Sequence, residues 1–528
     1  MLKLSRSKLS SNFLSLDTED DSKGNVKIID FYDGKKHITF TGKDCQSEAT
    51  AWLIDSNPPG SIDVWACNAE YDIVNLLGTH IGLIAELTYL KSAFVKARIL
   101  PKYHNGGVHF YDTLRHWKLG VAGMGEKLGF RKLKFDPDSV VYCQRDAEIV
   151  HRFVAAQMKN YAALGAETKA TIGATALALF KSKYAKESYM RPRTHGYEKL
   201  AQAIHGGRVE IFRTGIVEGT IRCYDVNSMY PAVMRAAKFP VVDSGFFTQY
   251  PDFGREGVAH LDVTYPANID IPGLAIKHEN KLIFPVGRLR GYWSYPEIRQ
   301  AIKDGASIKK IHWSYEYARV CEPFTDFITD LYDRRKRSKD ELERDTLKLL
   351  MNNLFGKFGE SSEIELRTGT DIIKRPNHSK HANLIWSIYV TSYARLALLG
   401  ILRSVKGLLY CDTDSIFTVN HELSTGEELG ELKLEGTWQR GHFVLPKTYI
   451  LWGDSPKYRA KGVPKAKAKD FFENYEAEWL SPVRYRESFR RELKPNLWIR
   501  KTRRLKHKYE KRLILPGGST KPLNLRLF

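Results

Sequence analysis

Paired cysteines are missing from this sequence. Its six cysteines, Cys45, Cys67, Cys143, Cys223, Cys321 and Cys411, are scattered and never form CxxC. That argues against a zinc module or a disulfide framework and fits a reducing compartment. There is no internal repeat, low-complexity tract or Walker-type glycine loop, which sets aside solenoids and P-loop nucleotide binding. No apolar stretch reaches membrane-spanning length, and no clear basic amphipathic anchor is present. Residues 1–20 lack the continuous apolar core of a signal peptide, so an intracellular protein is expected. Acid is in deficit: 61 Asp+Glu face 82 Lys+Arg, a net charge of +21. Such an excess favours a polyanionic partner, nucleic acid before an anionic membrane. The 528 residues exceed one ordinary core and predict about three to five modules.

What is present is carboxylate at ordered positions. In Leu408 to Phe417, LLYCDTDSIF, two apolar runs flank Asp412 and Asp414. That pattern predicts a β-hairpin with acids at its tip. Two like charges so close repel unless a cation lies between them, and a divalent metal takes oxygen ligands. A solvated Asp-rich turn is the plain alternative. A second carboxylate, Asp225, ends a predicted strand in Ile221 to Pro231, IRCYDVNSMYP.

Three further acidic stretches lie near the N-terminus. Asp17 and Glu19 sit two apart on a predicted strand and so share a face. Asn68 and Asp72 lie where a strand runs into a helix. Tyr142 and Asp146 lie four apart on an amphipathic helix within residues 139–158 that Ser139 could cap. Each acid alone reads as a surface charge. A predicted helix carries Lys348, Asn352, Phe355 and Gly359 as one stripe, preceded by the basic run Asp333 to Lys339. Lysine suits a triphosphate, the ring a base, and glycine gives room.

Taken in order, these stretches resemble the motifs of family B DNA polymerases with a 3′–5′ exonuclease domain, most closely the small protein-primed phage and plasmid type. The resemblance runs from Asp17 to Tyr449. It implies an α/β and α+β multidomain chain: a ribonuclease H-like exonuclease domain plus a right-hand palm, fingers and thumb. The implied boundaries are 1–165 for the exonuclease, 166–325 for linker and palm with an insertion, 326–385 for fingers, 386–440 for the second part of the palm, and 441–528 for thumb and basic C-terminal region. Within residues 232–322 alternating strands and turns are expected. The polar, turn-rich segment 360–385 corresponds to a second, short insertion. The tail from Arg484 to Arg512, rich in Lys and Arg with Tyr485, Phe489, Trp498 and Tyr509, would grip duplex phosphates.

By the same resemblance, Asp17, Glu19, Asp72 and Asp146 would hold two metal ions and Tyr142 would orient the attacking water. Asn68, Thr113 and Leu114 would contact single-stranded DNA, and Lys134 would face the frayed primer end. Asp225 and Asp414 would hold the polymerase metals, with Asp412 supporting. Tyr230 would lie beneath the incoming sugar. Lys348, Asn352 and Phe355 would bind nucleotide, with Arg335 or Lys336 as a second triphosphate contact. Gly206 and Gly207 resemble the YxGG linker motif, with Ile204 in place of its aromatic. Thr391 and Arg395 resemble Tx2GR, with Ala394 for its glycine. Lys447 and Tyr449 resemble the KxY primer grip. Asn353 and Phe355 depart from the family's Ser and Tyr, which removes two hydroxyls.

The implied activity is DNA-directed DNA synthesis with proofreading, replicating a viral or plasmid genome. Mg²⁺ or Mn²⁺ would serve as cofactor, two ions per active site. The expected partners are primer-template DNA, dNTPs and, if initiation follows the protein-primed type, a terminal protein; a monomer without membrane association is expected. The alternatives are the same fold extending ordinary RNA or DNA primers, a DNA-binding exonuclease without synthesis, and a non-enzymatic binding protein. The last leaves both acid sets unexplained.

Overall fold

The structure is a computed structural model that describes residues 13–21, 24–55, 61–90, 93–99, 107–185, 196–368, 371–378, 383–483, 497–505 and 508–528. Tyr485, Phe489 and most of the basic stretch after Val483 therefore lie outside the described residues. The chain divides into two compact units. One comprises residues 1–184, 331–379 and 480–501; the other comprises 185–330, 380–479 and 502–528.

In the first unit, a nine-stranded sheet is built in spatial order from Asp371–His378, Ser361–Thr368, Ile84–Leu90, Ala93–Ile99, Val108–Asp112, Ile62–Ala66, Phe13–Asp20, Val26–Tyr32 and His37–Thr41. Phe13–Asp20, Ile62–Ala66 and Val108–Asp112 run parallel; the other neighbours are antiparallel. The parallel strands lie in the middle of the sheet, where their apolar residues are covered. Leu16, Val64 and Phe110 are all fully buried. The long helix Val140–Ala163 crosses this sheet, and Ser139 caps it by accepting the Tyr142 N–H. In segment 360–385 the strands Ser361–Thr368 and Asp371–His378 pair with each other, and Ile364 pairs with Leu90 at the margin of the sheet.

His116 lies buried in this unit. Its Nε2 donates to the Lys169 carbonyl at 2.7 Å, and its Nδ1 faces the Tyr161 hydroxyl at 3.1 Å. Burial pushes its pKa down to about 4. Burial, then Arg98 and Lys96, push buried His109 down to about 4 as well. The unfolded chain takes up protons below its ordinary histidine pKa, which the folded unit refuses until about pH 4. The contribution of each histidine is thus fully present above about pH 6.5 and falls through that window by about 1.4 kcal/mol per pH unit, while the raised carboxylates of the same unit change in the opposite sense. The histidine part is read as a difference: the change in urea-unfolding stability from pH 7.5 to pH 5 is expected to be less unfavourable in His116→Gln than in the unsubstituted chain.

In the second unit, a seven-stranded sheet orders Lys457–Arg459, Thr448–Trp452, Leu432–Leu445, Gly215–Val226, Ser415–Val419, Leu408–Asp412 and Val209–Ile211. A five-stranded sheet orders Gly245–Phe247, Ser307–Tyr317, Glu256–Tyr265, Val286–Ser294 and Asn524–Arg526. Its strands alternate with turns through residues 245–317, and Trp293, Tyr295 and Ile298 anchor its core. Helix Leu384–Ser404 corrects one expectation. Its 21 residues are long and apolar enough, by length and composition, to cross a membrane, and 72% of its apolar window is buried inside the protein. Trp386, Tyr389 and Leu402 are wholly buried, and Trp386 Nε1 donates to the Pro240 carbonyl at 2.9 Å. Burying each such side chain contributes about 1.5–3 kcal/mol, enough to hold a helix of this composition in a protein interior.

Candidate active sites

The first acid centre belongs to the first unit. Strand Phe13–Asp20 puts Asp17 and Glu19 on one face, and helix Val140–Ala163 brings Asp146 to them. Two contacts set that approach: Ser15 Oγ donates to the Ala147 carbonyl at 2.7 Å, and Cys143 Sγ to the Asp17 carbonyl at 3.5 Å. Oxygens of Asp17, Glu19 and Asp146 lie within 4.8 Å of one another. Asp17 Oδ2 and Asp146 Oδ1 are buried and accept no hydrogen bond. A cluster of carboxylates with orphaned oxygens is the donor set of a hard divalent cation.

The electrostatics agree. Burial, then the neighbouring acids Asp72, Asp146 and Glu19, hold Asp17 well above the usual carboxylate range. Burial and Asp146 push Glu19 up to about 7. Asp72 is buried and accepts from Thr18 Oγ1 at 2.9 Å, with its own pKa raised by burial. It lies outside the three-carboxylate group but adds its charge to Asp17. Tyr142 is buried one helical turn before Asp146, and burial raises its pKa.

Lys132 is the residue that sequence reading missed. Its Nζ donates to Asp146 Oδ2 and lies 4.5 Å from the Tyr142 ring centroid. Burial alone would lower its pKa, but Asp146 and Tyr142 raise it above the ordinary lysine value. Lys134, expected in this place, is exposed two residues further on. Residues 130–136 form no regular element, so no periodicity could choose between the two lysines.

The expected single-strand contacts divide. Asn68 is exposed, in the left-handed region at φ 68°, before helix Ala69–Leu77. Asp112 joins it to the Thr113–Arg115 turn by accepting the Asn68 and Leu114 N–H groups at 3.1 and 2.9 Å. Leu114 is half-buried, whereas Thr113 is wholly buried and has no surface to offer a ligand.

The second acid centre belongs to the second unit. Asp412 pairs with Ser415 across a two-residue turn, with Thr413 at φ 68°. Ser415 in turn pairs with Asp225 on strand Gly215–Val226. The Val226 N–H donates to the Asp414 carbonyl at 2.9 Å, fixing the end of that strand to the turn. Asp225, Asp412 and Asp414 are all part-exposed around this junction. Asp412 is tethered: Tyr410 donates to its Oδ2 at 3.0 Å and Lys447 Nζ to its Oδ1 at 2.8 Å. Tyr230 lies half-buried beyond the strand, and burial, then Asp414, raise its pKa.

Three residues expected to contact DNA lie in the interior instead. Arg395 is 3% exposed; its guanidinium donates to Glu297 Oε1 at 2.9 and 2.7 Å and to the carbonyls of His205 and Gly206 at 2.7 and 3.0 Å. Thr391 is buried and donates back to the Ser387 and Ile388 carbonyls of its own helix. Tyr449 packs against Tyr410, Phe417 and Phe443 in the core of the seven-stranded sheet. The physical reason is common to all three: their polar atoms or rings already have partners inside the fold. Gly206 is exposed and Gly207 half-buried.

Helix Glu341–Phe358 carries Lys348, Asn352 and Phe355 away from its buried side of Leu347, Leu350, Met351, Leu354 and Phe358. Asn352 Nδ2 donates to the Lys348 carbonyl at 2.9 Å, and Asn353 Nδ2 to the Leu349 carbonyl at 2.8 Å. Arg335 is half-buried and Lys336 exposed at the end of helix Thr325–Arg337, with Lys336 Nζ 5.6 Å from the Tyr332 ring centroid.

Residues 125–389 match the family described as DNA polymerase type B, organellar and viral. The chain is 24% identical over 513 residues to a DNA-directed DNA polymerase of Enterobacteria phage PRD1, covering 88% of this chain and 87% of that one. It is 23% identical over 366 residues to the DNA polymerase of Bacillus phage phi29, 60% of each chain. A solved structure of phi29 DNA polymerase superposes with a TM-score of 0.76 at 17% identity, covering 94% of this chain and 100% of that one, a likeness of fold.

Proposed function

The chain belongs to the organellar and viral type B DNA polymerases, a DNA-directed DNA polymerase with that family's exonuclease, palm, fingers and thumb architecture, and from this we propose that it replicates a viral or plasmid genome inside a host cell and proofreads its product with a 3′–5′ exonuclease. The observation that carries the proposal is a pair of separate acid centres, one in each compact unit. A chain that only bound DNA would have no use for either.

Asp17, Glu19 and Asp146, with Asp72 beside them, would hold divalent metal in the first centre; Asp225 and Asp414 would hold it in the second. Bound there, Mg²⁺ or Mn²⁺ supplies Lewis-acid stabilisation of the attacking and leaving oxygens. The chain's own groups do the rest. Tyr142 and Lys132 orient water and offset negative charge beside Asp146. Asp412, held by Lys447 and Tyr410, fixes the turn that carries Asp414. Tyr230 lies under the sugar and excludes a 2′-hydroxyl. Lys348, with Arg335 or Lys336, meets the triphosphate, and Asn352 and Phe355 frame the base. Asn68, Leu114, Gly206, Gly207 and Lys447 contact DNA.

The test is incubation of the purified chain with primed template, dNTPs and Mg²⁺, with and without a candidate terminal protein. Extension of an ordinary primer supports synthesis. A requirement for the terminal protein at initiation alone supports protein priming. Degradation without extension under any priming condition would leave only the nuclease reading. In the same assay Lys132→Ala is expected to lower 3′-end degradation by about 10–100-fold, the usual cost of removing a group that supports metal ligands. Extension should be unchanged.

A further inference from the structure

Glu297 lies on the short helix Tyr295–Lys303 behind the five-stranded sheet, far in sequence from every acid described above. It is wholly buried. Its Oε2 accepts from Ser294 Oγ and Ser392 Oγ, both at 2.9 Å, and its Oε1 accepts both Nε and Nη2 of Arg395. A buried carboxylate costs several kcal/mol to desolvate unless it is paired and hydrogen-bonded, and here it is both. Burial alone would raise its pKa, but Arg395 holds it below the usual carboxylate range.

The remaining Arg395 nitrogen reaches across to the carbonyls of His205 and Gly206. Two residues later, the Arg208 carbonyl accepts the Thr413 N–H at 2.7 Å. Between these points Gly207 presses on Thr413: a Cβ at residue 207 would lie 2.6 Å from Thr413 Cγ2. Thr413 is the residue between Asp412 and Asp414, in a left-handed conformation that only outside support holds at low cost. A continuous line of polar contacts therefore runs from Glu297 through Arg395 and residues 205–208 to the acidic turn.

We propose that Glu297 and Arg395 are positioning residues of the polymerase centre, holding residues 205–208 as the platform on which the Asp412–Asp414 turn is set. The inference rests on the polymerase reading of that turn. Neither side chain need touch DNA or nucleotide; a shift of about 1 Å at a catalytic group suffices to cost about a hundredfold in rate.

The test uses the full chain with primer-template DNA, dNTPs and Mg²⁺. Glu297→Gln keeps size and shape but leaves Arg395 without its countercharge. Its kcat for nucleotide addition is expected to fall about 10–100-fold, with KM for dNTP and Kd for DNA within about twofold. Single-strand degradation, measured below the melting transition, should stay near that of the unsubstituted chain, while the melting temperature falls because buried Arg395 loses its countercharge. Glu297→Asp, which keeps the charge, should lie between the two. Gly207→Ala should reproduce the kcat loss by pushing on Thr413 directly.

An unchanged kcat in Glu297→Gln overturns the proposal. So does a tenfold weaker DNA Kd at unchanged kcat, which would make the pair part of DNA binding. A parallel fall of extension and degradation at a temperature where the variant is folded also overturns it, leaving only a fold-supporting role. If Glu297→Gln yields no folded protein, Ser392→Ala removes one hydrogen bond to the same carboxylate; a kcat reduced about threefold supports the proposal and an unchanged one overturns it. Asp414→Asn in the same series separates the two levels. If the unsubstituted chain extends no primer, the polymerase reading fails. If it extends and Asp414→Asn does not, while Glu297→Gln matches the unsubstituted chain, only this inference fails.

Discussion

Asp414→Asn is expected to lose primer extension by roughly 10³-fold or more while degrading 3′ ends at the unsubstituted rate. Asparagine has nearly the shape of aspartate, and the backbone contacts that set this turn, Val226 N–H to the residue 414 carbonyl and Thr413 N–H to the Arg208 carbonyl, do not involve the side chain. The substitution therefore removes charge and leaves geometry. A neutral amide cannot supply the anionic oxygen that a divalent cation takes. Gel-resolved extension of a labelled primer measures the first activity, and shortening of a labelled single strand the second. Extension at the unsubstituted rate would remove Asp414 from the metal-binding role.

Asp17→Ala is expected to do the reverse: degradation falls by a comparable factor and extension persists. Asp17 sits among Asp72, Asp146 and Glu19, with an orphaned buried oxygen. Its strand is fixed on both sides, by Val26–Tyr32 and by Ile62–Ala66, so truncating the side chain leaves the backbone in place. Without metal, removing one of several mutually repelling carboxylates relieves strain. The melting temperature of the metal-free variant should equal or exceed that of the unsubstituted chain. A marked drop would mean that Asp17 supports the fold rather than a metal. Mismatched primer termini should accumulate in extension products of this variant if the first centre proofreads.

Both acid centres could be read from sequence because their spacings are local. A strand puts residues two apart on one face, as with Asp17 and Glu19. A helix puts residues four apart on one face, as with Tyr142 and Asp146. The register that joins Asp225 to Ser415 is not local, but each strand carried its own acid at its end. Roles that depend on distant partners are not legible from local spacing. Arg395 interrupts the apolar run of Leu384–Ser404, and a charge in such a run is usually neutralised inside the fold. Ser294 and Glu297 have the spacing of a capping box, which the helix uses. The residue that completes Glu297, Arg395, lies 98 positions away. Tyr449 fits the KxY motif, whereas its neighbours in the sheet make it a core ring.

The nine-stranded sheet of the first unit also sets an order of maturation. A chain leaving the ribosome delivers the seven strands between residues 13 and 112 early, and Ser361–Thr368 only after the whole of the second unit's first segment, residues 185–330, has been made. Until then the Leu90 end of strand Ile84–Leu90 has no neighbouring strand on that side, and an unpaired strand edge is where nascent chains stick to one another. Covering it requires the pairing of Leu90 with Ile364, the closing of a long loop that forms slowly. The unit that carries Asp17 is thus completed late in synthesis, and its exposed margin is where a chaperone would have most to protect.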